Sequence, residues 1–180
     1  MRWQPLFDDI RARKLDLARL DPRRGMPLSP PAGATAPAIA AAERRLGRAL
    51  PPSYRELLAC HDGVPGFYQG ASLLSTRHFA RGTYLELCRI VIDVPGLVPF
   101  GVDPAGETLF AWDPSEARDD GEMGVIVWMN EIGERLPDFP SFLELVRDML
   151  GAEIADRRAK WPPGRRASAP EFTAAGTRAA

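Results

Sequence analysis

The sequence predicts an α+β protein: helices first, then an antiparallel meander sheet, then a C-terminal helix packed on it. Three observations carry this. Apolar residues recur at helical spacing between residues 37 and 58, and the period shortens to alternation between 97 and 129. Phe142, Leu145, Val146, Met149 and Leu150 then form one helical stripe. A chain of 180 residues, 45% of them hydrophobic, can bury a core without disulfides or a structural metal.

The elements follow in order. Residues 3–20 place Trp3, Leu6, Phe7, Ile10, Leu15, Leu17 and Leu20 at an imperfect helical period. Asp21-Pro22 ends that helix, because the residue before a proline is driven out of the helical region. The Pro- and Gly-rich residues 22–36 read as a linker. A short helix over 37–46 shows Ile39, Ala42 and Leu46 on one face and stops at Gly47. Ser53 and Glu56 form a capping-box pattern for the next helix, whose core face is Tyr54, Leu57 and Leu58. Residues 83–94 suit a strand or a helix equally. Leu97–Phe100, Glu107–Trp112 and Met123–Met129 read as three strands in meander order, joined by the turn Gly101–Gly106 and the polar loop Asp113–Gly121. Ser141 and Glu144 repeat the capping-box pattern, and Gly151 should stop the last core helix. The expected organisation is a helical extension over 1–21, the linker over 22–36 and a domain over 37–151. A basic helix and a disordered Pro/Ala-rich tail over 152–180 complete it.

Basic and acidic residues number 23 and 24, so no global field draws the chain to nucleic acid or to a membrane. The near-neutral total hides a segregation. Residues 1–102 carry a net +5, residues 103–150 a net −9 and residues 151–180 a net +3. An excess of nine negative charges in one segment can attract a basic partner, although a solvated face of loop carboxylates gives the same count. No apolar run reaches membrane-spanning length, and Asp8, Asp9 and Arg11 fall where a signal peptide needs its apolar stretch. Cys60 and Cys88 make no disulfide framework. The expected compartment is the cytoplasm.

The search for chemistry turns up little. Cys60-His61-Asp62 invites a nucleophile reading, but adjacent helical side chains diverge by about 100°, so thiol and imidazole do not naturally meet. A zinc site from Cys60, His61, Cys88 and His78 would lack paired ligand spacing. Arg118 stands where a calcium loop over 113–122 would need glycine, and Gly101 with Gly106 does not make a dinucleotide-binding loop. No catalytic residue, metal or cofactor is therefore nominated. Trp112 and Trp128 fall in strands, where core packing is the default. Phe67 and Tyr68, in the glycine-flanked stretch Gly66–Gly70, are either a loop packed on the core or an exposed contact surface.

The ordered string Ile39, Glu43, Leu46-Gly47, Leu50-Pro51, Tyr54, Leu57-Leu58 and Asp62-Gly63 resembles the opening of a SUKH-superfamily domain of the Smi/Knr type. Leu97–Gly101, Asp103, Gly106 and Trp112-Asp113 resemble its following strand pair, and Val125–Trp128 and the helix starting Ser141-Phe142 keep the order. The likeness covers about residues 35–150. It implies a non-enzymatic α+β binding module with no catalytic motif to carry over. Bacterial members of the group are commonly immunity proteins that bind and neutralise a toxin, often a nuclease or deaminase.

The first functional expectation is accordingly an immunity protein whose partner is a basic toxin domain, with no specific nucleic acid and no membrane. Its candidate contacts are the carboxylates Asp103, Glu107, Asp113, Glu116, Asp119, Asp120 and Glu122, with Phe67 and Tyr68 as aromatic anchors. The second is a regulatory or scaffold protein of the same type with a non-toxin partner, reached through Arg157, Arg158, Lys160, Arg165 and Arg166.

Overall fold

In the computed structural model, which describes residues 3–22, 26–81, 96–105, 107–129 and 132–160, helix α1 spans Gln4–Leu20. Phe7, Ile10, Lys14 and Leu17 form its buried stripe, with Trp3 continuing it one turn earlier. Leu15 and Leu20, which the sequence pattern counted with the apolar set, are exposed. Asp21 closes the helix through its backbone N–H to Leu17 O at 2.8 Å. Helix α2 (Ala36–Leu46) begins at Thr35, whose hydroxyl accepts from Ala38 N. It ends at Gly47 in the left-handed region (φ 71°), as the sequence predicts.

Helix α3 (Pro52–Cys60) differs from its expected start. Ser53 and Glu56 do not cap each other. Pro51 is the cap residue, and Ser53 already lies inside the helix. Glu122 supplies the missing acceptor from the other half of the chain: its two carboxylate oxygens take the Ser53 backbone N–H and hydroxyl, each at 2.8 Å. Glu56 instead accepts the Trp3 indole N–H at 2.9 Å. A carboxylate at a helix N-terminus answers both the orphan N–H groups and the helix dipole.

A single six-stranded antiparallel meander follows: β1 (Val64–Tyr68), β2 (Ala71–Leu73), β3 (Val98–Val102), β4 (Thr108–Asp113), β5 (Gly124–Met129) and β6 (Ile132–Leu136). Helix α4 (Thr76–Arg81) stands between β2 and β3 and packs against α2. Strands β3 to β5 match the predicted trio, whereas β1, β2 and β6 are additions. Gly66–Gly70 is not an open loop but part of a hairpin, turned by Gln69 (φ 46°) and Gly70 (φ 83°).

Helix α5 runs unbroken over Phe139–Lys160. Its cap is Asp138, which accepts from the Ser141 N–H at 2.9 Å and the Ser141 hydroxyl at 2.7 Å, so the Ser141–Glu144 box is not formed. Gly151 does not stop it. The residue instead marks a close crossing of α1, because a Cβ there would meet the Arg13 guanidinium at 2.5 Å. Packing of α1 along α5 brings Trp3, Phe7, Ile10 and Leu17 into the same core as Tyr54, Phe100, Trp112 and Phe142. Tyr54 anchors that core, with edge contacts to Trp112 and Phe139 and its hydroxyl donated to Leu74 O at 2.8 Å. Leu109 and Ala111 belong to a second, smaller cluster with Trp128. Residues 83–94, Cys88, Gly106 and the chain beyond 160 lie outside the described residues.

Candidate functional site

The seven candidate carboxylates do not form one patch. Asp103 and Glu107 flank the β3–β4 turn, while Asp113 closes the far end of β4 and Glu116, Asp119, Asp120 and Glu122 lie beyond it. A strand of this length separates the two groups by about 20 Å at 3.4 Å per residue, or about two Debye lengths at physiological salt.

Within the second group most carboxylates have work inside the fold. Asp113 accepts from Ser115 N at 3.0 Å and starts the single turn of 3₁₀ helix at Pro114–Glu116. The Ser115 hydroxyl, opposed by burial and supported by the Ser115 N–H and Arg135, holds the Asp113 carboxyl below the usual range. Arg135 of β6 also pairs with Glu116 at 2.7 Å. Asp120 accepts from Glu122 N at 3.0 Å and pairs with Arg118 at 3.1 Å, and Asp103 accepts from Thr108 N at 3.2 Å. Glu122 caps α3, as described. Among the described residues Asp119 and Glu107 are the two exposed members of the set that make no ion pair or side-chain hydrogen bond.

The fold also adds two carboxylates that the sequence reading missed. Glu56 and Asp138 join Asp120 and Glu122 around a cleft of about 320 Å³, with Arg118 as its one cation among the described residues. Burial alone would push the Asp138 carboxyl up. The hydrogen bonds from Ser141 and the Arg118 guanidinium at 3.2 Å outweigh it and hold the group below the usual carboxylate range. The signal in the sequence was an Asp three residues before a Ser, a cap pattern that the competing Ser141–Glu144 spacing obscured.

The aromatic anchors fall to the packed alternative. Phe67 is fully buried between Phe7 and Phe142, and Tyr68 is 4% exposed, because β1 turns both side chains away from solvent.

Cys60 is exposed, and His61 stacks on Phe7 with ring centroids 5.3 Å apart. Asp62 is occupied by the N–H and hydroxyl of Thr76, at 2.7 and 3.0 Å, so it does not orient His61 as a base. Ser75 Oγ and His78 Nδ1 lie 3.0 Å apart, but the Ser75 backbone N–H also donates to that nitrogen, and the ring serves the start of α4. Among the described residues no group of three or more His, Cys, Asp and Glu is placed to hold a metal ion. No helix among them is long and apolar enough to cross a membrane.

Comparison with known proteins agrees with this arrangement of helices, meander and capping helix. The SMI1/KNR4 family (SUKH-1) matches over residues 33–148, more than half of the chain. A comparison with curated proteins gives no match. The chain belongs to the SMI1/KNR4 family (SUKH-1).

Proposed function

We propose that this protein is a non-catalytic, immunity-type binding module that blocks a basic toxin domain of the nuclease or deaminase kind. The loop 113–122 and the adjoining cleft form the contact. The observation that carries the reading is the gathering of Glu56, Asp120, Glu122 and Asp138 around one cleft, beside the unpaired Asp119 and with Arg118 alone among the described residues to offset them. An enzyme that handles nucleic acid presents cations to phosphate, and a fixed array of carboxylates can occupy those cations and speed encounter. The four cleft carboxylates are held by the Trp3 indole, by backbone and hydroxyl donors and by Arg118, so they meet a partner without first losing conformational freedom. Membership of the SUKH-1 family supports a binding role.

The regulatory alternative draws less support from the geometry. Arg157 is 16% exposed and pairs with Asp21 at 2.6 Å, Arg158 approaches Asp16 at 3.8 Å, and Lys160 pairs with Asp156 at 2.8 Å. The basic end of α5 is thus largely engaged within the fold.

The test is affinity capture from the native cells at low and high salt, followed by assay of the captured partner. A stoichiometric partner whose nucleic-acid-cleaving or deaminating activity is suppressed by added protein supports the reading. A partner without such activity, or one whose activity is unaffected, overturns it.

A further inference from the structure

Helix α1, the β1–β2 turn and the C-terminal half of α5 enclose a second cleft, of about 790 Å³. Its walls include Lys14, Leu17, Tyr68, Gln69, Leu150 and Glu153. It lies toward the opposite end of α5 from the acidic cleft, about 20 Å away along the helix at 1.5 Å per residue.

Lys14 occupies a position in the α1 stripe where the spacing calls for an apolar residue, and it is 5% exposed. Its ammonium donates to Gly66 O at 2.9 Å, one bond from a group that carries three N–H donors. Among the described residues no carboxylate lies within ion-pairing distance of it. Burial lowers its pKa from the ordinary lysine value, and the more distant Glu153 opposes that shift in part. Tyr68, also buried, receives the Gln69 side-chain N–H on its oxygen at 3.2 Å, which leaves its own hydroxyl proton to donate. Gln69 lies in the left-handed region at the hairpin turn, with its amide donating to Tyr68. The rim is different: Arg157 is bound by Asp21 and Lys160 by Asp156. The rim cations are thus neutralised by carboxylates, whereas Lys14 has none within ion-pairing distance and Tyr68 keeps a proton to donate.

We propose that this cleft binds a monocarboxylate, with the carboxylate seated on Lys14 Nζ and the Tyr68 hydroxyl and the body of the ligand against Leu17 and Leu150. The wall charges, Lys14, Arg157 and Lys160 against Glu153 and Asp156, leave a net +1, which matches a monocarboxylate better than a phosphate dianion. The site shares no residue with the acidic loop and does not depend on the immunity reading.

N-acetyl-leucine and N-acetyl-leucinamide differ only at the carboxylate and serve as matched probes in an NMR titration of the full chain. The acid binds saturably, at the Gly66 and Gly70 amides, about tenfold or more tightly than the amide, as for charge-assisted hydrogen bonds. Tyr68→Phe weakens the acid by about threefold and leaves the amide unchanged, the loss of one neutral donor. Lys14→Met removes the preference for the acid. Equal binding of acid and amide, binding of neither, or equal binding of inorganic phosphate overturns the proposal. If Lys14→Met fails to fold, the probe pair on the unsubstituted chain and on Tyr68→Phe still decides.

Discussion

Glu122 is an acidic loop residue with a structural task, and its removal separates fold from interface. Glu122→Ala deletes both acceptors at the start of α3, the bonds to Ser53 N and Ser53 Oγ, each of 2.8 Å. A helix cap contributes about 1 kcal/mol, and hydrogen bonds to a charged group run at about 1.5–3 kcal/mol when partly buried. Water can replace part of the loss at this half-buried site, so the expected cost is about 2 kcal/mol. For a chain of this size that lowers Tm by about 4–8 °C. Urea denaturation of Glu122→Ala, Ser53→Ala and the double variant forms a thermodynamic cycle. Ser53→Ala removes only the hydroxyl bond, so the coupling energy is about half the total, or about 1 kcal/mol. A Glu122→Ala cost below about 0.5 kcal/mol, or the same cost in the Ser53→Ala background, would refute capping of α3 across the chain.

Three further outcomes follow from the same geometry. Asp138→Ala should cost about 1–2 kcal/mol at neutral pH through loss of the α5 cap and the Arg118 partner. Because the folded Asp138 carboxyl is held below its ordinary value, its contribution is full above the ordinary carboxylate range. It is lost as pH falls through the depressed folded value, so acid titrations of the variant and the parent should converge. Phe67→Ala should cost about 3–5 kcal/mol in denaturant unfolding as a buried aromatic, whereas an exposed anchor would cost almost nothing. Gly151→Ala should raise stability by about 0.5 kcal/mol, since the helix gain of up to about 1 kcal/mol is offset only by displacement of the flexible Arg13 tip. A thermal melt reads it, and a lower Tm would show that Arg13 cannot move.

The legible parts of this fold are those decided by neighbours in the chain. Gly47 and Asp21-Pro22 punctuate helices because backbone sterics act locally, and β3, β4 and β5 announce themselves through alternation and β-branched residues. Strands β1 and β6 are short and contain Pro65, Gly66 or Gly133, which erase the alternation that would reveal them. Their pairing is set by the sheet around them. Both capping boxes failed for a related reason. Ser53 and Ser141 do sit at helix starts, but a carboxylate 69 residues away serves one and Asp138 the other. The charge count marks residues 103–150 as acidic. It could not reveal that Arg118 and Arg135 fold back onto it, or that β4 splits it into two groups.

That split gives the most direct test of the acidic-loop account. The measurement is the association rate of the protein with its captured partner in stopped flow, across a salt series, for the parent, Asp119→Lys and Glu107→Lys. Neither residue has an internal partner among those described, so both substitutions spare the fold. Reversing one charge about 8 Å from a partner cation changes the encounter energy by about 1 kcal/mol at low salt, or about fivefold in rate. The account predicts a slowing of that size for Asp119→Lys that fades as salt rises, with Glu107→Lys close to the parent. Equal effects from both substitutions, or a rate indifferent to Asp119 and to salt, would contradict it.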